Sequence, residues 1–163
     1  MTLPSWLAPL PAAAAMRATD AWAIERLGIP SLDLMERAGE GLASLVAEVG
    51  PDGPVAVVCG KGNNGGDGLV AARLLRERHA WREVRVLLLA PPEELRGDAA
   101  ANLERLDGAH EPFSAGRLDG AAVVVDCVLG TGFAGEPHGA ARDAIAAIAA
   151  CAAPVVSADV PSG

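Results

Sequence analysis

The chain has 163 residues, enough for one domain with its own core, and 51% of them are hydrophobic while 3% are aromatic. A net charge of −8 without any run of Lys or Arg argues against a nucleic-acid surface. No stretch approaches the roughly 18 consecutive apolar residues of a membrane span, and the N-terminus does not read as a signal peptide. The three cysteines have no metal-type spacing, which indicates buried reduced thiols and a cytoplasmic protein.

Two helices are the first predicted elements. Residues 12–27 show a helical pattern that ends at Gly28-Ile29-Pro30. Apolar residues then recur at helical spacing from Ser31, a candidate cap, to about Val49, which predicts a second helix with one apolar face. Turn residues at 50–54 separate this helix from the first strand.

Strands and helices alternate through the rest of the chain. Four short apolar strands are predicted at residues 55–59, 84–89, 122–126 and 154–158. The helices between them are predicted from Asp67 to about His79, at residues 97–106, and around residues 141–149. Such alternation indicates an α/β fold in which a mostly parallel sheet carries helices on both faces.

A glycine-rich stretch follows the first predicted strand. Gly60, Gly62, Gly65 and Gly66 fall within seven residues, and the predicted helix starts just after them. Glycine lets a ligand approach the main chain closely, and a helix N-terminus suits an anion such as a phosphate. We therefore interpret residues 60–68 as the floor of a ligand site.

Three segments marked by glycine together with polar or acidic residues follow three of the predicted strands. They are residues 60–67, 126–136 and 159–163, after the first, third and fourth strands. In open parallel sheets, ligands bind beyond the carboxyl ends of the strands. The three segments converge only if these three strands are neighbours in the sheet, which is a prediction about topology.

The glycine pattern fits neither common nucleotide-binding motif. Residues 60–65 match G-x-G-x-x-G, but a dinucleotide-binding dehydrogenase has an acidic residue after its second strand, where this chain has Leu89-Ala90-Pro91-Pro92. The Gly-Lys-Ser/Thr of a P-loop is missing as well. Taken singly, Asp67 could match the positive end of its helix, and the other strand-end aspartates could be turn residues.

Four motifs together resemble one known family. The sequence CGKGNNGGDGLVAAR at residues 59–73 is similar to the signature of the NAD(P)HX epimerase family, also called the YjeF N-terminal domain. Three further segments agree with it: LMERAG at 34–39, DCVLGTGF at 126–133 and PVVSADVPSG at 154–163. The four ordered motifs cover the chain from about Met16 to its last residue.

The resemblance implies a fold and an activity. The fold is a Rossmann-like three-layer αβα domain with a mostly parallel sheet behind two N-terminal helices, spanning residues 1–163 and truncated after the Asp-Val-Pro-Ser-Gly motif. The activity is that of an isomerase: in nucleotide repair, it interconverts the R and S forms of hydrated NADH and NADPH (NADHX and NADPHX) at nicotinamide C6. The family is commonly dimeric, so a homodimer is expected, and an ADP- or ATP-dependent dehydratase, fused or separate, would act with it. The alternative is a non-catalytic binding and dimerisation module, as in a eukaryotic mRNA-decapping enhancer of the same fold.

The resemblance also implies site residues. Its potassium ligands fall on Asn64, Asp126 and Ser162, whose oxygen atoms suit a hard cation. Asp159 is expected to contact the substrate and is our candidate proton carrier, because a carboxylate can fill that role. Two further sets of substrate-binding residues are implied: Asn63, Asn64, Gly65, Gly66 and Asp67 in the first loop, and Gly130, Thr131, Gly132, Phe133, Ala134, Gly135 and Glu136 in the second. Because a scaffold needs no such set, the presence of Asn64, Asp126 and Asp159 together favours the enzyme.

Overall fold

Two helices begin the described part of the chain, as the sequence predicts. The computed structural model describes residues 12–50, 52–80 and 82–163. Helix α1 (Ala13–Leu27) ends at Gly28, whose φ of 67° lies in the left-handed region that glycine adopts readily. Helix α2 (Ser31–Val49) begins with Ser31 in its first turn; the cap position holds Pro30, so the prediction that Ser31 caps this helix was wrong.

A five-stranded parallel sheet forms the centre of the molecule. Its strands are β1 (Val55–Cys59), β2 (Val84–Leu88), β3 (Glu111–Pro112), β4 (Val123–Cys127) and β5 (Val155–Ser157). They lie in the order β3-β2-β1-β4-β5, so the three strands that precede the marked segments are neighbours, as the topological prediction required. The chain runs outward from β1 to β3 and then returns to the other side of β1, which opens a crevice beyond the ends of β1 and β4.

Three helices join the strands: α3 (Asn63–Arg78), α4 (Gly97–Glu104) and α5 (Gly139–Ala150). On one face of the sheet, Val57 and Val125 pack in a core with residues of α2, α3 and α4. On the other face, Val58 and Val124 pack with Ala144 and Ile148 of α5. The architecture is therefore the expected Rossmann-like three-layer αβα fold.

Helix α3 starts four residues earlier than the sequence indicated. It begins at Asn63 rather than Asp67, so the prediction that residues 63–66 form a loop was wrong. The glycines of this segment allow close packing: a Cβ on Gly66 would lie 2.6 Å from Sδ of Met35, and one on Gly68 would lie 2.8 Å from Sγ of Cys127. Strand β3, of two residues, was not predicted, and all other predicted boundaries lie within two residues of those observed.

Helix α2 holds α3 in place by a close crossing. A Cβ on Gly39 would overlap Val70 and lie 2.9 Å from the carbonyl oxygen of Asp67. Beside this crossing, Arg73 of α3 donates to both carboxylate oxygens of Glu36 at 2.6 and 2.7 Å. These contacts fix the start of α3 relative to α2.

No helix in the described ranges combines the length and apolar character needed to cross a bilayer.

Candidate functional site

The ends of β1, β4 and β5 bring three distant segments together. Gly130, which follows β4, lies at their junction: a Cβ there would be 2.7 Å from Oδ2 of Asp159 and 3.1 Å from Cβ and Cγ of Asn64. Asn64 belongs to the first turn of α3, and Asp159 follows β5. Residues almost a hundred positions apart in sequence therefore surround one point.

Asp126 ties two of these segments together. It is the fourth residue of β4 and is only 4% exposed. Its Oδ1 accepts hydrogen bonds from the Ser162 hydroxyl at 2.6 Å and from the Val128 N–H at 3.2 Å. Its Oδ2 accepts from the Ser162 N–H at 2.9 Å and from the Ser157 hydroxyl at 3.3 Å. A buried carboxylate with this many donors is well compensated and fixes the segment after β5.

The side chain of Asn64, unlike that of Asp126, is buried without hydrogen-bond partners among the described residues. Its side chain is 7% exposed, and neither its amide oxygen nor its amide nitrogen has a hydrogen-bond partner within the described residues. Leaving a buried polar group unpaired costs about 1–3 kcal/mol. Such a group beside a cluster of polar residues is suited to bind a polar or charged ligand atom.

Asp159 is held in an unusual backbone conformation. Its φ is 57°, the one positive value at a non-glycine residue in the described ranges. Aspartate tolerates this region better than most residues, and such conformations concentrate at functional sites. Its Oδ2 accepts hydrogen bonds from both the N–H and the hydroxyl of Thr131, each at 3.3 Å.

The second predicted loop contributes unequally to this cluster. Gly130 and Thr131 contact Asp159 as described above, whereas the rest of the loop is solvent-exposed: Gly132, Phe133, Ala134, Gly135 and Glu136. Helix α1 also reaches the loop, because Arg17 donates to the Thr131 carbonyl oxygen at 3.3 Å.

In the first segment, Asn63 is exposed, while Gly65 and Gly66 are buried in the packing of α3.

Asp67 lies in a small cleft between α2, α3 and the end of β5. The cleft has a volume of about 220 Å³. Its lining comes from both sides: Ala38, Gly41, Leu42 and Leu45 of α2, and Asp67, Ser157, Ala158 and Asp159 opposite. Burial first, and then the carboxylates of Asp159 and Asp20, raise the pKa of Asp67 from 3.8 to about 7. The cleft therefore combines an apolar wall with two carboxyl groups, one of which holds a proton near neutral pH.

A larger cavity of about 380 Å³ lies at the other end of α2 and α3, lined by Ser44, Glu48 and His79 among others. That end of α3 faces away from the carboxyl ends of the strands, where the polar cluster lies. We therefore assign the site to the smaller cleft and its surroundings.

The site offers oxygen donors rather than thiolates. Within the described ranges, no group of three or more His, Cys, Asp or Glu side chains is arranged to hold a metal ion. Burial raises the pKa of the Cys59 thiol to about 12 and that of Cys127 well above its usual value, so neither supplies a thiolate at neutral pH. What remains is a set of oxygen donors, from an amide, a carboxylate and a hydroxyl, at Asn64, Asp126 and Ser162.

Sequence reasoning missed the cleft itself. The predicted apolar face of the second helix supplies one wall of the cleft, through Leu42 and Leu45. Ser157, which donates to Asp126, carried no signal beyond its place in a predicted strand. Asp20 carried none, because only the fold brings α1 near α3.

Comparison with known proteins identifies relatives of this chain. A profile of the family described as YjeF-related protein N-terminus matches residues 31–163. An NAD(P)H-hydrate epimerase of Rhodopirellula baltica is 40% identical over 155 residues, which cover 91% of this chain and 63% of that protein. One from Limosilactobacillus fermentum is 37% identical and shares 93% of this chain and 73% of its own length. A bifunctional NAD(P)H-hydrate repair enzyme of Salinibacter ruber is 42% identical over 95% of this chain but only 32% of its own length.

The solved structure of a yeast protein, ynu0 (YNL200c), shares the fold. It superposes with a TM-score of 0.80 over 96% of this chain and 72% of the yeast chain, at 23% sequence identity. The chain thus spans under two thirds of the Rhodopirellula relative and about a third of the bifunctional one. The profile match and the close relatives show that the chain belongs to the YjeF-related protein N-terminus family.

Proposed function

We propose that this chain interconverts the R and S forms of hydrated NADH and NADPH at nicotinamide C6, in nucleotide repair. The names of the relatives support this assignment. The observation that carries it is the meeting of Asn64 and Asp159 around Gly130, at the crevice beside Asp126. A non-catalytic module of the same family would have no use for a protonated carboxyl group and an unpaired buried amide in one place.

The substrate's diphosphate would bind at the start of α3. The first N–H groups of a helix are unpaired and carry the positive end of its dipole, which attracts phosphate even in an acidic protein. Residues 63–67 form the first turns of this helix, and residues 130–136 would cover the substrate from the other side. The apolar cleft beneath Leu42 and Leu45 would take the nicotinamide ring.

We further propose potassium as the cofactor, held by Asn64, Asp126 and Ser162. The donor chemistry fits, because all three side chains offer oxygen to a hard cation. The unpaired amide oxygen of Asn64 supports the choice, since a cation would satisfy it. When bound, the ion would offset part of the negative charge of the diphosphate and of Asp126.

Asp159 would carry the proton in this reaction. We propose that C6 inverts when the hydroxyl leaves as water while the ring nitrogen forms a double bond to C6, and water then adds to the opposite face. Departure needs an acid and addition needs a base. Asp159 suits the role of the base because Thr131 fixes its carboxylate at the cleft.

The test is an epimerisation assay on the full-length protein. Substrate enriched in the R hydrate is incubated with enzyme, and both forms are followed by chromatography. We expect Asp159→Asn to slow interconversion by at least about 100-fold, in line with the usual contribution of a general acid or base. Asp143→Asn, on the exposed surface of α5, serves as the matched control and should retain full activity. A wild-type protein that fails to speed interconversion would refute the proposal.

The assembly and location of the protein are part of the same proposal. Fusion with a second activity in the bifunctional relatives suggests that an ADP- or ATP-dependent dehydratase consumes the S product. We propose a homodimer in the cytoplasm, a location that suits three cysteines without disulfide bonds.

A further inference from the structure

Asp67 shares the cleft with Asp159 but comes from a different element. Asp67 projects from α3, and Asp159 follows β5, so the two carboxyl groups line the cleft from separate segments. Inversion of a carbon by departure and return of water needs an acid for the departure and a base for the return. A single carboxyl group serves only one of these two steps at a time.

We infer that Asp67 is the second proton-transfer group, acting as the acid that releases water while Asp159 acts as the base that receives it. The inference rests on the proposed epimerase function. It gives Asp67 a catalytic role in place of substrate binding alone.

The packing around Asp67 holds it in position for this role. The carbonyl oxygen of Asp67 lies directly under Gly39 of α2, where a Cβ would come within 2.9 Å of it. Further along α3, Arg73 is anchored to Glu36 of the same helix α2. Both contacts restrict the movement of α3, so the carboxyl group of Asp67 has a fixed place in the cleft that it shares with Asp159. Preorganisation of this kind is what acid–base catalysis requires.

The surroundings of Asp67 raise its pKa to about 7, so that a large fraction of it holds a proton at neutral pH. The residues of α2 that line the cleft carry no charge. The groups that face Asp67 from other elements are Asp20 of α1, Asp159 after β5 and the neutral thiol of Cys127 in β4. Neither carboxylate favours loss of a proton from Asp67, and burial opposes it further. An acid with a pKa near the working pH is the most effective kind.

The proton balance closes over one cycle. Asp67 gives its proton to the C6 hydroxyl, the C6–O bond breaks, and water departs as the nitrogen lone pair forms the C6=N bond. Water then adds to the other face, the new C6–O bond forms, and its proton passes to Asp159. The proton returns from Asp159 to Asp67 across the cleft they share. Nothing is oxidised or reduced, and the opposite direction uses the same groups in exchanged roles.

The experiment compares Asp67→Asn with wild type in the full-length protein over pH 5.5 to 9. Wild-type kcat/KM should fall as pH rises through about 7, where Asp67 of the free enzyme loses its proton. We expect Asp67→Asn to lower kcat by about 100-fold, to change KM by less than about threefold, and to lose this alkaline limb. Thermal unfolding should show the variant to be no less stable than wild type, so that the loss is not caused by misfolding.

Asp20→Asn provides the matched control. It removes a carboxylate that acts on Asp67 from α1 but does not line the cleft. Its kcat/KM at the plateau should equal that of wild type, while its alkaline limb should move to lower pH, because one source of the raised pKa of Asp67 is gone. Full kcat and an unchanged limb in Asp67→Asn would overturn the inference and leave the epimerase intact. An inactive wild type would instead overturn the proposed function.

Discussion

Gly130 determines how closely Asn64 and Asp159 approach each other. The residue has no positive φ, so its backbone accepts alanine, but an added Cβ would lie 2.7 Å from the Asp159 carboxylate. We expect Gly130→Ala to push these groups apart and to lower kcat/KM by about 10- to 100-fold, since displacements of about 1 Å are costly in catalysis. Gly116→Ala, where nothing lies within 4 Å, is the control and should behave as wild type in the same assay.

If the Gly130→Ala variant folds stably and is as active as wild type, Asn64 and Asp159 do not act on a common ligand.

Asp67 also makes stability depend on pH. Its pKa rises from 3.8 in the unfolded chain to about 7 in the folded one, so folding takes up a proton between these values. The contribution of Asp67 to stability is therefore fully present below about pH 4 and is lost as pH rises through about 7. The full shift corresponds to about 4 kcal/mol, which relaxation would reduce to about 2 kcal/mol.

We therefore expect Asp67→Asn to exceed wild type in free energy of unfolding at pH 8, by about 2 kcal/mol, and to match it near pH 4. Urea unfolding at the two pH values measures the difference. A variant that is less stable than wild type at pH 8 would show that the ionised carboxylate is stabilised in the fold, contrary to the environment described here.

At the scale of elements, the start of α3 could not be predicted from the sequence. Glycine costs about 1 kcal/mol relative to alanine within a helix, so Gly65 and Gly66 favoured a loop. Tertiary packing overrides this preference, because a Cβ on Gly65 would overlap the backbone carbonyl group of Gly60. The sequence carries the glycines but not the neighbour that requires them.

The strand ends were easier to predict than the cleft. Apolar runs followed by Asp126 and Asp159 predicted correctly that both carboxylates lie at the carboxyl edge of one sheet. The raised pKa of Asp67 could not be predicted in this way, because it depends on Asp159 and Asp20, more than 40 residues away on either side. Strand β3 was missed since two residues, one of them Pro112, give no periodic signal.

Two glycines of α2 offer a matched test of how this helix packs. A Cβ on Gly39 would overlap Val70, whereas Gly41 has nothing within 4 Å. Gly39→Ala should lower the free energy of unfolding by about 1–3 kcal/mol through overpacking. Gly41→Ala should raise it by about 0.5–1 kcal/mol, because alanine restricts the unfolded chain. Denaturant unfolding compares both; equal effects would show that α2 does not cross α3 at Gly39.

At the scale of the whole molecule, the negative charge of the protein opposes binding of the proposed substrate. The chain has a net charge of −8 and gathers Asp67, Asp126 and Asp159 near one crevice, yet the proposed substrate is an anion. The helix dipole of α3 offsets only about half a charge. A bound cation would offset a further part of the negative charge, and it would also join residues at the ends of three different strands. Binding to the folded state alone stabilises the whole fold by mass action.

We therefore expect potassium to raise the thermal stability of the protein more than an equal concentration of choline chloride does. At a concentration ten times the Kd, the gain is about 1.4 kcal/mol. The Asn64→Ala variant tests whether a cation binds the Asn64 oxygen, because binding and its absence predict different stabilities for this variant. If a cation uses the Asn64 oxygen, the variant loses the potassium-dependent gain. If none does, the variant removes a buried amide that lacks partners and is as stable as wild type or more so in both salts. Identical melting of the wild type in potassium and choline would contradict the proposed cation site.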